Sequence, residues 1–240
     1  MTSRARAAAI ALGLALIAFR DPAVAAESAA APWPDSFVAR VEILALMQSL
    51  NAEILASPTA TRALERWCGE HGLAADPRVT IRPLAVPTAA ATAETLARLG
   101  VSRREKVAYR SVELRCGEVV LSKAENWYVP DRLPRALRRA LETSDTPFGR
   151  VVQPLAPYRR TVSAQLLWQP LPPGWERNAG SGHQDDATCG DPAAELAPAL
   201  QIPDALFEQR AVVYSGKHVA LAEVHEVYQR GILGFASPRP

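Results

Sequence analysis

Gly117 and Glu118 are all that separates two β-rich runs, VAYRSVELRC and VVLSKAENWYVP. Strands joined by so short a turn form a hairpin and run antiparallel. RRTVSAQLLWQP and LFEQRAVVYSG supply two more strands, and Ser215 with Gly216 turns the chain into a last one within YSGKHVALAEVHEVY. Ahead of all of them, FVARVEILALMQSLNAEILA places Ile43, Leu46, Met47, Leu50 and Ile54 at helical spacing, and Ser57 or Thr59 can cap a second helix reaching about Gly72. LPRALRRALET adds a short helix, followed by the compact turn TPFGR. Helices first and neighbouring strands afterwards predict an α+β domain. Its antiparallel sheet carries the N-terminal helices on one face, with a ligand cavity between the two.

The rest of the chain fits one such domain. Arg4 and Arg6 precede an apolar run from Ala7 to Phe19 and small residues at Ala23, Ala25 and Ala26. That order predicts a signal peptide over 1–26, cut after Ala25 or Ala26; the apolar run is too short to span a bilayer comfortably, and a retained membrane anchor is the alternative. A linker over 27–36 and a single domain over 37–240 follow, the domain carrying a long loop at about 174–201 that is rich in Pro, Gly and Asp. Cleavage removes three arginines and one aspartate, taking the formal charge from +2 to about 0. No polybasic face remains, which argues against nucleic acid as a partner. Export to the periplasm or beyond exposes Cys68, Cys116 and Cys189 to oxidation, an odd number whose pairing the spacing leaves open. The spacings match no zinc pattern, and no metal site is expected.

One residue stands out in the last strand. At period two, Val219, Leu221, Glu223, His225 and Val227 share a face, placing the Glu223 carboxylate in an apolar row. Either it pairs with Arg210, Lys217 or Arg230 at a sheet edge, or a site requires it. His225 on the same face could form a dyad with it, although such neighbours more often share a packed or solvated row.

The strings YRSVELRCGEVVLSKAENWYVP, TPFGR and SGKHVALAEV, in that order and spacing, resemble the chorismate lyase (chorismate pyruvate-lyase) family, whose fold is shared with ligand-binding domains of some bacterial transcription regulators. The resemblance covers a little under half of the chain and implies a chorismate-lyase-like fold. It places the family's acidic residue on Glu223 and a ligand-holding backbone group on Phe148. The family's carboxylate-gripping arginine falls on Ser111, which cannot make the planar two-pronged contact of a guanidinium. Arg110 and Arg115, on opposite faces of the same strand, are the nearest substitutes.

The activity implied is elimination of pyruvate from chorismate to give 4-hydroxybenzoate, with no cofactor. In it Glu223, its pKa raised by apolar neighbours, would be the general acid. A cytosolic substrate sits badly with an exported chain. The alternative is therefore an exported, non-catalytic binding module for a small aromatic carboxylate or related ligand. A scaffold whose pocket is filled by its own side chains is a third reading.

Overall fold

The structure, a computed structural model, describes residues 33–177 and 198–235. The expected signal peptide, residues 27–32 of the expected linker, most of the expected loop and Cys189 lie outside the described residues.

The two opening helices form because their apolar residues recur every three or four positions and their starts are extended. α1 (Phe37–Ala56) buries Ala39, Ile43, Met47, Leu50 and Ile54, and the Ser36 hydroxyl accepts from the Ala39 N–H at its N-terminus. α2 (Ala60–Glu70) buries Ala63, Leu64, Trp67 and Cys68. The remaining helices are α3 (Ala93–Leu99), α4 (Arg135–Thr143) and the single turn α5 (Phe148–Val151).

Six strands, β1 (Val79–Pro83), β2 (Ala108–Cys116), β3 (Val119–Tyr128), β4 (Tyr158–Leu166), β5 (Ala205–Tyr214) and β6 (Ala220–Gln229), make one sheet in the order β1-β2-β3-β6-β5-β4. Every neighbouring pair is antiparallel. This is the α+β architecture expected from the sequence, and the hairpin turns at Gly117, whose φ of 53° suits a residue without a Cβ. Strand β1 and helix α3 were not among the expected elements.

Helices α1 and α2 lie on one face of the sheet, against Val112, Leu114, Leu121, Ala124, Phe207 and Tyr228. Next to them on that face, Leu133, Leu141, Phe148 and Val151 pack on Ala211, Val213, Ala222 and Val224. Helix α3 covers part of the other face, where Leu99 packs with Trp127, Val129 and Val212. A disulfide between Cys68 and Cys116 fastens α2 to β2, with 48 residues of sequence separation. Trp33, within the expected linker, is buried, and its indole N–H donates to the Leu233 carbonyl. Pro34 bridges to Ala199, so residues just before α1 are held against the domain.

Two irregularities change which way side chains point. The β5–β6 register shifts between Val213 and Tyr214, leaving Leu221 without a partner on β5, and Leu221 turns into the helix-side core with Ala222. The row expected from strict alternation is thereby corrected: Leu221 is not on the face of Glu223, and Val219 lies before β6 and is exposed. On β4, at the sheet edge, the register shifts between Thr161 and Ser163, so Val162 has no partner. Residues 160–165 of that edge strand are all exposed.

Candidate functional site

Between the sheet and the helices lies a cavity of about 30 Å³, room for about two waters. Its walls come from the start of α2 (Thr59, Ala60, Thr61), the TPFGR turn (Pro147, Phe148, Gly149) and the inward residues of all six strands. Ile81, Val112, Leu114, Ala124, Val213 and Val224 make it apolar, while Asn126, Arg159 and Glu226 add polar groups. Thr59 and Thr61 also line an open basin of about 320 Å³ outside it, together with Arg62, Glu65, Arg150 and Gln153. The backbone comes close at the boundary. A Cβ on Gly149 would stand 2.8 Å from the Thr59 Cβ and 2.8 Å from the Thr61 hydroxyl, so only glycine fits there without displacement.

The polar wall is built by strand alternation. Val224, Glu226 and Tyr228 point to the helix side, and Glu226 stands opposite Ala124 on β3 and Gln209 on β5. Arg159, opposite Val213, reaches into the same layer with its side chain 2% exposed. Its Nη1 donates to Glu226 Oε2 at 3.2 Å and its Nη2 to Gln209 Oε1 at 3.1 Å. Gln209 in turn donates to Asn51 of α1, and the Tyr228 hydroxyl donates to Glu226. Burial works to lower the pKa of the Arg159 guanidinium, but the neighbouring Glu226 charge and Tyr228 carry it above its ordinary value. Complete burial, and then Glu226, push the Tyr228 phenol well up. Two buried atoms at this wall have no hydrogen-bond partner: Arg159 Nε and Thr59 Oγ1. Such orphans are uncommon in a folded interior and mark a place where something polar is expected to sit.

Of the residues expected from the sequence, Phe148 lines the cavity. Arg110 lies on the same face, opposite Asn126, but its guanidinium turns away to the Leu141 and Thr146 carbonyls, and burial lowers its pKa. Ser111 is on the opposite face, across from Glu125, and Arg115 pairs with Glu113 and Glu118.

Glu223 is fully buried, yet on that opposite face, under α3. Thr95 Oγ1, Arg98 Nη2 and Arg210 Nη1 donate to its Oε1 at 3.0, 2.9 and 2.8 Å, and Arg98 Nε donates to its Oε2 at 2.6 Å. Burial works to raise its pKa, but the hydrogen bonds from Arg98, Arg210 and Thr95, with the Arg98 charge, outweigh it and hold the carboxyl below its ordinary value. The expectation of a raised pKa is corrected on this ground. Of the three cations named as possible partners, Arg210 is the one in contact, while Arg230 pairs with Asp204. His225 shares the face but bonds to Glu208 and Glu125, not to Glu223.

The structure therefore separates Glu223, Ser111 and Arg115 from Phe148 by the thickness of the sheet. It supplies Arg159 and Glu226 to the cavity instead. Glu226 carried the same signal as Glu223, a carboxylate in an otherwise apolar row with Ala222, Val224 and Tyr228. Arg159 carried none, because its partners sit on strands remote in sequence.

No protein-family model matches the chain. Over 207 residues, 86% of this chain and 83% of the relative, it is 35% identical to the uncharacterized protein y4mC of Sinorhizobium fredii. Among solved structures it is similar to the effector domain of PhnF from Mycobacterium smegmatis, at 16% identity and a TM-score of 0.40, over 71% of this chain and 88% of that one. It is also similar to the possible transcriptional regulator YydK from Bacillus subtilis, at 12% identity and a TM-score of 0.35, over 62% of this chain and 57% of the regulator, little more than half its length.

Proposed function

This chain belongs to the same family as the uncharacterized protein y4mC of Sinorhizobium fredii, and we propose that it is a binding module for a small carboxylate-bearing ligand, aromatic in the simplest case, with its head group in the small cavity between sheet and helices and its body in the adjoining open basin of about 320 Å³ that shares Thr59 and Thr61 with it. One observation carries the reading: an apolar cavity walled by a buried Arg159–Glu226 pair in which Arg159 Nε and Thr59 Oγ1 are left without partners. Apolar walls with a few convergent polar groups are the usual make-up of a small-molecule site. Binding is favoured over chorismate cleavage because Glu223, the implied general acid, lies outside the cavity and has a lowered pKa. A carboxylate ionised at neutral pH has no proton to give a leaving group.

The proposal places the module outside the cytosol, after loss of residues 1–26. The disulfide between Cys68 and Cys116 supports that placement, since such bonds persist in oxidising compartments.

The test pairs two measurements on the processed protein. A thermal-shift series with benzoate, 4-hydroxybenzoate and related aromatic carboxylates is expected to raise the melting temperature. Incubation with chorismate is expected to release neither pyruvate nor 4-hydroxybenzoate. Turnover of chorismate would overturn the binding-only reading, and an unmoved melting temperature across the series would overturn the ligand class. Mass spectrometry of the native protein is expected to find a start at Ala26 or Glu27, and an intact Met1 form in the cytosol would refute export.

A further inference from the structure

We infer that the ligand's head group is a monoanionic carboxylate, gripped jointly by Arg159 of β4 and the open N-terminus of α2. This rests on the cavity being the ligand site, and it names which groups hold the ligand and what charge they accept.

Helix α2 has 11 residues and starts at Thr59, whose backbone is extended and whose side chain makes no capping hydrogen bond. The first N–H groups of a helix have no partner within it, and a cap normally takes one of them. Here the hydroxyl that would do so is buried without a partner. The helix end therefore presents unsatisfied donors and its positive pole to the cavity that Thr59, Ala60 and Thr61 line.

Arg159 faces the same cavity independently. With its side chain 2% exposed, its Nη1 donates to Glu226 and its Nη2 to Gln209, and its Nε is the guanidinium nitrogen with no partner at all. A carboxylate has an acceptor for each of these groups lining the one cavity: one oxygen for Arg159 Nε–H, the other for the first turn of α2 or the Thr59 hydroxyl.

Charge limits the choice further. Glu226 already balances Arg159, so the positive balance of the cavity is only that of the helix pole, roughly half an elementary charge. One negative charge is offset in part by that pole, whereas a second has no cation to offset it and adds to the repulsion from Glu226. A dianionic phosphate is therefore disfavoured although it carries more acceptors.

The experiment is calorimetric titration of the processed chain with benzoate, benzamide and phenyl phosphate near pH 7.5. Benzoate is expected to bind at least about tenfold more tightly than benzamide, the factor of one charged hydrogen bond, and phenyl phosphate no more tightly than benzamide. Equal binding of benzoate and benzamide would remove the anion grip while leaving the cavity as a ligand site. Phenyl phosphate as the tightest would overturn the charge argument, and no binding by any of the three would remove the site itself.

Two variants locate the grip. Arg159→Gln combined with Glu226→Gln leaves no lone buried charge and should abolish the preference for benzoate over benzamide. Ala60→Pro deletes one donor of the first helical turn at a position proline suits, and Thr59 before it is already extended. It should reduce the same preference severalfold with the fold intact by circular dichroism. A preference unchanged in both folded variants would refute the assignment, and Ala60→Pro decides alone if the double variant fails to fold.

Discussion

Glu223 and Glu226 are three positions apart on one strand, and their surroundings give them opposite uses. Glu226 faces the cavity and holds Arg159. Glu223 joins α3 to the sheet through Arg98 and Thr95, and to β5 through Arg210. A neutral isostere at a strained site residue would leave the fold as stable as before. Here Glu223→Gln instead removes the charge that two guanidinium groups converge on, at a cost of about 1–3 kcal/mol at pH 7. The sign with pH follows from the lowered carboxyl. The stabilisation is present above the ordinary glutamate value, about 4.3, and is lost as pH falls through the lower folded value. Urea unfolding of both proteins at pH 7 and pH 3 should thus show a gap that narrows in acid. A gap of constant size, or none at pH 7, would show that the cluster contributes nothing through charge.

At the scale of elements, the helices and hairpins that announce themselves by periodicity were legible, and two elements were not. β1 is five residues long, bounded by prolines at 77 and 83, and its alternation of Val79 and Ile81 is too brief to stand out from a Pro-rich connector. α3 bears ordinary signals, since Thr92 accepts from the Thr95 N–H at its start and Gly100 ends it with φ 58°. At seven residues it is too short for its apolar spacing to be conspicuous. Missing α3 also hid the role of Glu223, because Arg98 and Thr95 arrive on that helix.

The disulfide belongs to this scale as well, for it ties a helix that lines the site to the second strand. In the chain-entropy account a loop of this length stabilises the fold by about 4 kcal/mol. Replacing Cys68 and Cys116 together by alanine should lower the melting temperature by roughly 10 °C for a domain of this size. A change within about 2 °C would mean that packing around α2 suffices without the bond.

Across the whole molecule, class and sheet polarity could be read from the sequence because they depend on local turns and the order of elements. The site could be read only in part. Phe148 was found through the TPFGR string, whereas Arg159 meets Glu226 only after β4, β5 and β6 have come into register, a relation no local pattern encodes. Strict alternation also misled at Leu221, where one residue unpaired on β5 altered which side chains share a face.

The unpaired Val162 on β4 has a consequence for how this protein behaves in concentrated solution. An edge strand whose residues 160–165 are all exposed offers a row of free backbone groups on which another molecule's strand could add, the common beginning of sheet-mediated clumping. The bulge interrupts that row and bends it, so a straight incoming strand cannot keep in step along its length. Deleting Val162 would restore an even edge at little expense to the interior, and the deletion variant should then scatter light increasingly as concentration rises while the parent stays clear. Equal scattering by the two would mean that the irregularity gives no protection against self-association.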